Sequence, residues 1–311
     1  MTIAKSDWSL IREKIEVLFI QSFNRDIPTE YFDWRYFDNN HEQILFAIEI
    51  ENHKAVASYS AFPVDLILNG KKCRTAMSMT TMTHPDWRGK GLFKKLATEL
   101  YSQAGLQQIA AVWGFPNTSS HSAFNAKLGW TDVYEIPTLT LDLHNVDSGK
   151  LLTNAEILRD DTFSMNYPNM PNDGFIRVHR TQSYLFWRYA KNPVNNYQNF
   201  VLLQDGKVSS YIVTKSYGDG IDLVDIQTAN SQEARVLLEH IVKLNFTNGV
   251  NRISCWAPPH HSVHAVLERL GFENSAPITY FGGRELIPSA MPSDWLNYKS
   301  WYIQMGDSDV Y

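Results

Sequence analysis

Cysteine is close to absent. The 311 residues contain two, Cys73 and Cys255, far apart and without metal-ligand spacing. They read as buried thiols in a reducing compartment. Long apolar runs are missing as well. None approaches the length that spans a bilayer, and the opening MTIAKSDWSL has no apolar signal core, so a cytoplasmic protein without a membrane span is expected. There is no basic excess either. The formal net charge is -5 and no run of Lys or Arg exceeds two, which removes a general field for nucleic acid. What remains is an ordinary soluble balance of 44% hydrophobic and 20% charged residues, in a length that suits one large domain or two ordinary ones.

The chain is organised as a repeat. Residues 31–36 read YFDWRY and residues 184–189 read YLFWRY. KLGWTDVYEIPTLTL from Lys127 is matched by RLGFENSAPITYFGG from Arg269, and AVWGFPN from Ala111 by ISCWAPP from Ile253. The intervals are 153, 142 and 142 residues. The order is kept, as an internal duplication requires, at a period far above that of solenoids. The polar stretch LHNVDSGK, residues 143–150, is the expected join, dividing the chain into 1–146 and 147–311. Within the first piece, Trp8, Ile11, Ile15, Leu18, Phe19 and Phe23 recur at helical steps, with Ser6 as N-cap. Two hairpins follow, one turning near Asn52 and one at Asn69-Gly70. Helix, strand, helix and strand come next, with Gly129 ending the second helix.

Between the strand ending near Met82 and the helix starting near Leu92 lies HPDWRGKGLF. Gly89 and Gly91 allow a tight turn with converging amides, and the helix start adds its positive dipole end. Arg88 and Lys90 add charge. The combination makes a cradle for a diphosphate. It is not the ATP-type loop, which ends in Gly-Lys-Ser/Thr. It is not the dinucleotide fingerprint, whose third glycine position is Lys94 here.

THPDWRGKGLFKKLA resembles the acetyl-CoA-binding motif of the GCN5-related N-acetyltransferases (GNATs), with Arg88, Gly91 and Phe93 at the key positions. GFPNTSSHSAFNAKLGW is similar to the second motif of that family. The resemblance implies a mixed α+β fold of two tandem GNAT-like domains, each a mostly antiparallel sheet flanked by helices. It implies acetyl-CoA as cofactor. Backbone groups of Met82 and Thr83 would hold the pantetheine arm. Amides of Arg88, Gly89, Lys90, Gly91, Leu92 and Phe93 would hold the diphosphate. Asn117 would reach the pantetheine amides, and Phe124 would line the thioester channel. Asn117 also suits a helix cap, and Phe124 simple core packing. The second piece lacks the loop: DIQTANSQEARVLLEH has no glycine, so one cofactor site is expected.

Transfer needs a free amine, an oxyanion donor and a proton for the departing thiolate. The family often supplies that proton from a tyrosine, but this sequence has Phe124 or Asn125 there. His121 titrates in the useful range for a base, or is a surface helix residue. Asp307 and Asp309 would orient a cationic amine, or belong to a solvated tail. His260, His261 and His264 lack a full zinc set, and no metal is expected. RGKGLF, GFPN and a second WRY together resemble acetyltransferases of bacterial surface-polysaccharide pathways. Those act on nucleotide-linked amino sugars, including dTDP-linked 3-amino-3,6-dideoxyhexoses. Trp295, Tyr298, Trp301 and Tyr302 would stack on sugar or pyrimidine, or pack over the second domain. A homodimer is compatible with the sequence. The competing readings are a tandem peptidyl transferase using aminoacyl-tRNA, and a non-catalytic acyl-CoA-binding module.

Overall fold

The computed structural model describes residues 5–39, 44–147, 149, 151, 155–168 and 173–311, so part of the expected join at 143–150 lies outside the described residues. Contacts divide the chain into two compact units. The first is Met1–Tyr134 with Asn192–Val194 and Tyr280–Tyr298; the second is Glu135–Lys191 with Asn195–Thr279 and Lys299–Tyr311. A contiguous division at 146/147 does not describe them, because each unit includes a strand from the other side of that point.

In the first unit, α1 (Trp8–Phe23) buries Trp8, Ile11, Ile15, Leu18 and Phe19, while Phe23 stays exposed. Asp7, not Ser6, occupies the cap position, because Lys5–Asp7 already winds as a 3-10 turn. α2 (Thr29–Phe32) runs into a wide helical turn, Asp33–Phe37, which buries Trp34, Arg35 and Tyr36. β1 (Leu45–Glu51), β2 (Lys54–Leu68) and β3 (Lys71–Thr83) form an antiparallel meander. Its turns fall at Asn52-His53 and Asn69-Gly70, all at positive φ, as two-residue hairpins demand. α3 (Leu92–Leu106) lays Leu96, Ala97, Leu100, Tyr101 and Ala104 into the core with Ala57, Tyr59 and Val112. β4 (Ala111–Gly114) pairs parallel to β3, and α4 (His121–Leu128) ends at left-handed Gly129. β5 (Thr131–Asp142) then leaves, and its last eight residues belong to the second unit.

The second unit repeats this order. β6 (Ile157–Arg159), β7 (Arg177–Val178) and α5 (Gln182–Leu185) come first. A second wide turn, Phe186–Ala190, buries Trp187, Arg188 and Tyr189, so the repeated WRY has the same backbone role twice. Then come β8 (Tyr197–Gln204), β9 (Lys207–Tyr217), β10 (Gly220–Gln227), α6 (Ser231–Thr247), β11 (Arg252–Cys255), α7 (Ser262–Arg269) and β12 (Glu273–Glu285). The strands of each unit are mixed and mostly antiparallel, with one parallel strand pair among the described residues: β3–β4 in the first unit and β10–β11 in the second. In the first unit the place beside β4 is taken by Gly282–Glu285 of β12. In the second, the place beside β11 is taken by Leu139–Asp142 of β5. Side-chain size permits the first pairing. A Cβ on Gly283 would lie 2.7 Å from the Val112 carbonyl, and one on Gly282 2.8 Å from that of Thr131. Among the described residues no helix is long and apolar enough to cross a membrane. Cys255 is buried, but Cys73 is only half-buried, its sulfur 3.9 Å from that of Met291.

Candidate active site

The site begins where two parallel strands part. β3 and β4 are paired from Ala76/Val112 to Ser78/Gly114, and there the pairing stops. β3 continues to Thr83, so its edge from Met79 onward faces no strand. Just past the fork, Thr80 and Thr81 oppose the single residue Tyr59, a bulge with Thr80 at φ 44°. A bulge twists the strand and turns backbone groups out of the ladder. Met82 and Thr83 lie in this stretch, Met82 buried and Thr83 half-buried. Polar main-chain groups on an unpaired edge need partners, and an extended amide-bearing arm offers them.

The loop follows directly. Gly89 and Gly91 sit at φ +78° and +79°, and a Cβ built on either meets nothing within 4 Å. The conformation favours glycine, and the space before it is open. Gly91 is the N-cap of α3 and supplies no side-chain acceptor. The amide of Arg88 donates to the Pro85 carbonyl at 3.3 Å, so it is not among the free ones. Those of Gly89, Lys90, Gly91, Leu92 and Phe93 find no protein acceptor among the described residues. Five free amides at the start of a fifteen-residue helix form an anion site. The Arg88 guanidinium reaches the carbonyls of Thr83 and Ser22, both at 3.4 Å. The Lys90 ammonium sits 4.0 Å from the Trp87 ring centroid. These residues fit the diphosphate of coenzyme A.

The second motif is more divided. Asn117 is exposed, and its Oδ1 accepts from the Ser120 amide and hydroxyl, both at 3.0 Å, so it shapes the turn into α4. Phe124 is buried against Phe93, Trp130 and Tyr59, with centroids 5.2, 4.6 and 6.4 Å away. It packs the core. His121, at the start of α4, is not a free surface residue. Its Nε2 is 2.8 Å from Asp132 Oδ1, and its ring lies flat on Tyr280 at 3.8 Å and 5°. Asn125 donates to the other Asp132 oxygen at 2.9 Å. Nε2 also lies 3.3 Å from the Asn125 amide nitrogen, and no hydrogen bond to Nδ1 is found among the described residues. Asn125 lies in the second motif, but the sequence does not single out Asp132 or Tyr280 and carries no sign that the three meet His121. Two phenols also went unforeseen. Tyr59 and Tyr101 share a hydroxyl contact of 2.6 Å, with Ser78 at 2.8 Å from the first and the Trp130 indole donating to the second at 2.9 Å. Burial keeps both protonated, pushing Tyr101 up to about 12.

Asp307 and Asp309 belong to the second unit, whereas the loop belongs to the first. The expected solvated tail is not found: residues 301–308 are buried without a break, and Asp309 is half-buried. Asp307 pairs with Arg180 at 2.7 Å and accepts the Gln304 amide at 2.8 Å, so its carboxylate is already engaged. Trp295, Trp301 and Tyr302 are buried and offer no stacking face, whereas Tyr298 stacks on Tyr134 at 4.2 Å. The three histidines are held separately. His260 Nε2 contacts the Trp301 carbonyl, His261 Nδ1 accepts the Val263 amide, and His264 Nδ1 lies 2.9 Å from the Ala257 carbonyl.

The second unit has the same fork and closes it. β10 and β11 pair only from Gly220/Arg252 to Leu223/Cys255. Beyond that point the chain's own segment takes the strand edge. The Ile226 amide donates to Gln304 Oε1, and Tyr302 donates to the Ile226 carbonyl at 2.7 Å. Asn230 caps α6 by accepting the Glu233 amide at 3.0 Å, and Glu233 places a carboxylate at the helix start. Neither an arm nor a diphosphate has a place. Calorimetry is expected to return one acetyl-CoA per chain, and a stoichiometry of two would contradict the blocked fork.

Residues 5–133 match the acetyltransferase (GNAT) domain family. No curated protein sequence matches the chain. Among solved structures, a conserved protein of Enterococcus faecalis V583, described as a probable N-acyltransferase, superposes with TM-score 0.68 at 14% identity, covering 92% of this chain and 72% of that one. A GCN5-related N-acetyltransferase of Anabaena variabilis gives 0.64 at 12%, covering 92% and 72%. A tandem GNAT protein from the clavulanic acid biosynthesis pathway gives 0.53 at 13%, covering 93% and 98%. At these identities the structural likeness establishes the fold; together with the match over residues 5–133 and a loop that fits the cofactor, it supports an N-acetyltransferase that draws its acyl group from acetyl-CoA.

Proposed function

We propose that the protein transfers the acetyl group to the primary amine of a small acceptor, a nucleotide-linked amino sugar of the dTDP-3-amino-3,6-dideoxyhexose type. The open glycine loop with its five free amides carries the donor half of this reading. The acceptor half rests on the resemblance of RGKGLF, GFPN and the repeated WRY to surface-polysaccharide acetyltransferases. A tandem GNAT protein of similar fold comes from a small-molecule biosynthetic pathway, which is compatible with a small acceptor. The tRNA-dependent alternative has no need of this cradle, and a net charge of -5 suits it poorly.

When bound, acetyl-CoA supplies an activated carbonyl that an amine attacks directly. The chain's part is to position and to move protons. Amides of Gly89 to Phe93 would hold the diphosphate and the edge of β3 near Met82 would hold the arm, and a strand N–H there would supply the oxyanion donor. His121 Nδ1 takes the proton from the acceptor ammonium, and Asp132 and Tyr280 fix the ring. With no phenol at 124 or 125, solvent protonates the leaving thiolate, which a thiol pKa near ~8.5 makes tolerable.

A free-thiol assay over a panel of amines, including dTDP-linked amino sugars, tests the reading. Thiol release only with aminoacyl-tRNA, or with no amine at all, would sink it. His121→Gln keeps a polar contact to Asp132 but cannot titrate. We expect kcat/KM to drop about 100-fold or more, the range of a lost general base. Acetyl-CoA affinity should be unchanged. Wild-type kcat/KM in the variant would remove His121 from the mechanism.

A further inference from the structure

A line of polar side chains crosses one face of the second unit's sheet. Register sets Lys215 on β9 opposite Asp222 on β10, Asp222 opposite Ser254 on β11, and Ser254 opposite Thr140 on β5. Thr140 Oγ1 is 3.3 Å from Ser254 Oγ and 2.7 Å from Ser275 Oγ on β12. Cross-strand partners share a face. The alternate residues Ile221, Leu223, Ile253, Cys255, Leu139 and Leu141 all lie in the hydrophobic core, so the polar line is on the opposite side.

Its two charged members are in an unusual state. Lys215 is 7% exposed and Asp222 is 5% exposed. As direct cross-strand neighbours of opposite charge they are placed to pair, yet no N–O contact within 4.0 Å joins them. Neither side chain makes a hydrogen bond to any described residue, and Asp222 Oδ2 is fully shielded without a partner. The Lys215 ammonium instead faces aromatic rings, 5.1 Å from the centroid of Tyr311 and 5.6 Å from that of Tyr217, and Trp256 packs edge-on to Tyr311 at 5.2 Å. The other charges nearby are engaged. Arg188 donates to Tyr197 and to the carbonyls of Ser308 and Tyr311, and Arg252 pairs with Asp219. Burial raises the Asp222 carboxyl to about 6, against the pull of Lys215 and Arg252. A buried carboxylate and a buried ammonium held apart are costly unless something bridges them.

We propose that Asp222 and Lys215, buried and unpaired with each other, together bind a small zwitterion of the amino-acid class, its ammonium on Asp222 and its carboxylate on Lys215. The site presents one anion and one cation, so a ligand with one of each leaves no desolvated charge unmatched. Ser254 and Thr140 extend the polar line for a hydroxyl or amide on the ligand, and the rings of Tyr311 and Trp256 provide an apolar wall. This site lies wholly within the second unit and depends on none of the catalytic assignments above.

The test is calorimetry on the full chain with a panel of free amino acids at millimolar concentration, each beside its N-acetyl and methyl-ester derivatives. At least one free amino acid is expected to bind, and both of its derivatives to lose about 30-fold or more in affinity, the cost of unpairing one desolvated charge. Asp222→Asn and Lys215→Gln should each weaken binding by a similar factor, while acetyl-CoA titrates normally in both. No binding across the panel overturns the proposal. So does binding that tolerates both derivatives, or that survives both substitutions. Because the derivatives are tried on the unmodified protein, the test does not depend on the variants folding.

Discussion

Gly91→Asp abolishes acetyl-CoA binding and leaves the chain folded. The backbone at this position has φ +79°, where an L side chain costs about 1–2 kcal/mol. Asp is among the residues that tolerate that region best, and the new Cβ meets no protein atom within 4 Å. The fold therefore has little to lose. The ligand loses much. The side chain enters the open space in front of the free amides, and brings a like charge into it. Like-charge juxtaposition costs several kcal/mol, so affinity should fall by about 100-fold or more. Calorimetry with acetyl-CoA and a thermal melt of the same sample give both readouts. Gly91→Ala shares the backbone strain without the charge and should lie between the two. Wild-type affinity in Gly91→Asp would remove the loop from the cofactor site, and with it the donor half of the mechanism.

Arg180→Ala destabilises the protein by about 3–5 kcal/mol, the cost of leaving buried charge without its counter-ion. Arg180 lies between Asp225 and Asp307, at 2.5 and 2.7 Å, with all three side chains buried. Tyr189 and Gln304 also hold Asp225, and Gln304 reaches Asp307 through its amide. The cluster ties the buried segment after residue 300 to β10 and to the second WRY turn. Gly306 shows how close that packing is: a Cβ there would fall 2.8 Å from the Val224 carbonyl and collide with the Tyr189 hydroxyl. The pH dependence has a definite sign. Burial already raises the Asp307 carboxyl, opposed by Arg180. Without Arg180 that opposing pull is gone and the Asp307 carboxyl sits further above its unfolded value, so the native state binds more protons. Stability then rises as pH falls toward the carboxylate range. Urea titrations should show the deficit of Arg180→Ala shrinking from pH 7 toward about 5. A deficit below about 1 kcal/mol at neutral pH, the scale of an exposed pair, would mean the cluster is solvated.

The sequence was most informative where the physics is local. Asn69-Gly70 and Gly129 require left-handed backbone, and both adopt it. The α3 stripe and the uncapped Gly91 follow from residues within a turn of one another. The repeat was visible because the second WRY turn needs the same three buried side chains as the first. Ser6 missed by one position, since a 3-10 turn took the slot before α1.

Pairings between distant residues were beyond reading from the chain alone. His121 looked like any exposed helix residue until Asp132 and Tyr280, 11 and 159 positions along, closed on it. Asp307 looked solvated until Arg180 met it from 127 positions away. The strand beside β4 comes from β12 and the one beside β11 from β5, a choice that no local preference encodes. Turn and cap chemistry depends on the dihedrals of neighbouring residues, so the amino-acid order specifies it directly. Which strand, ring or carboxylate meets which depends on burial shared across the whole fold, and only the folded chain decides that.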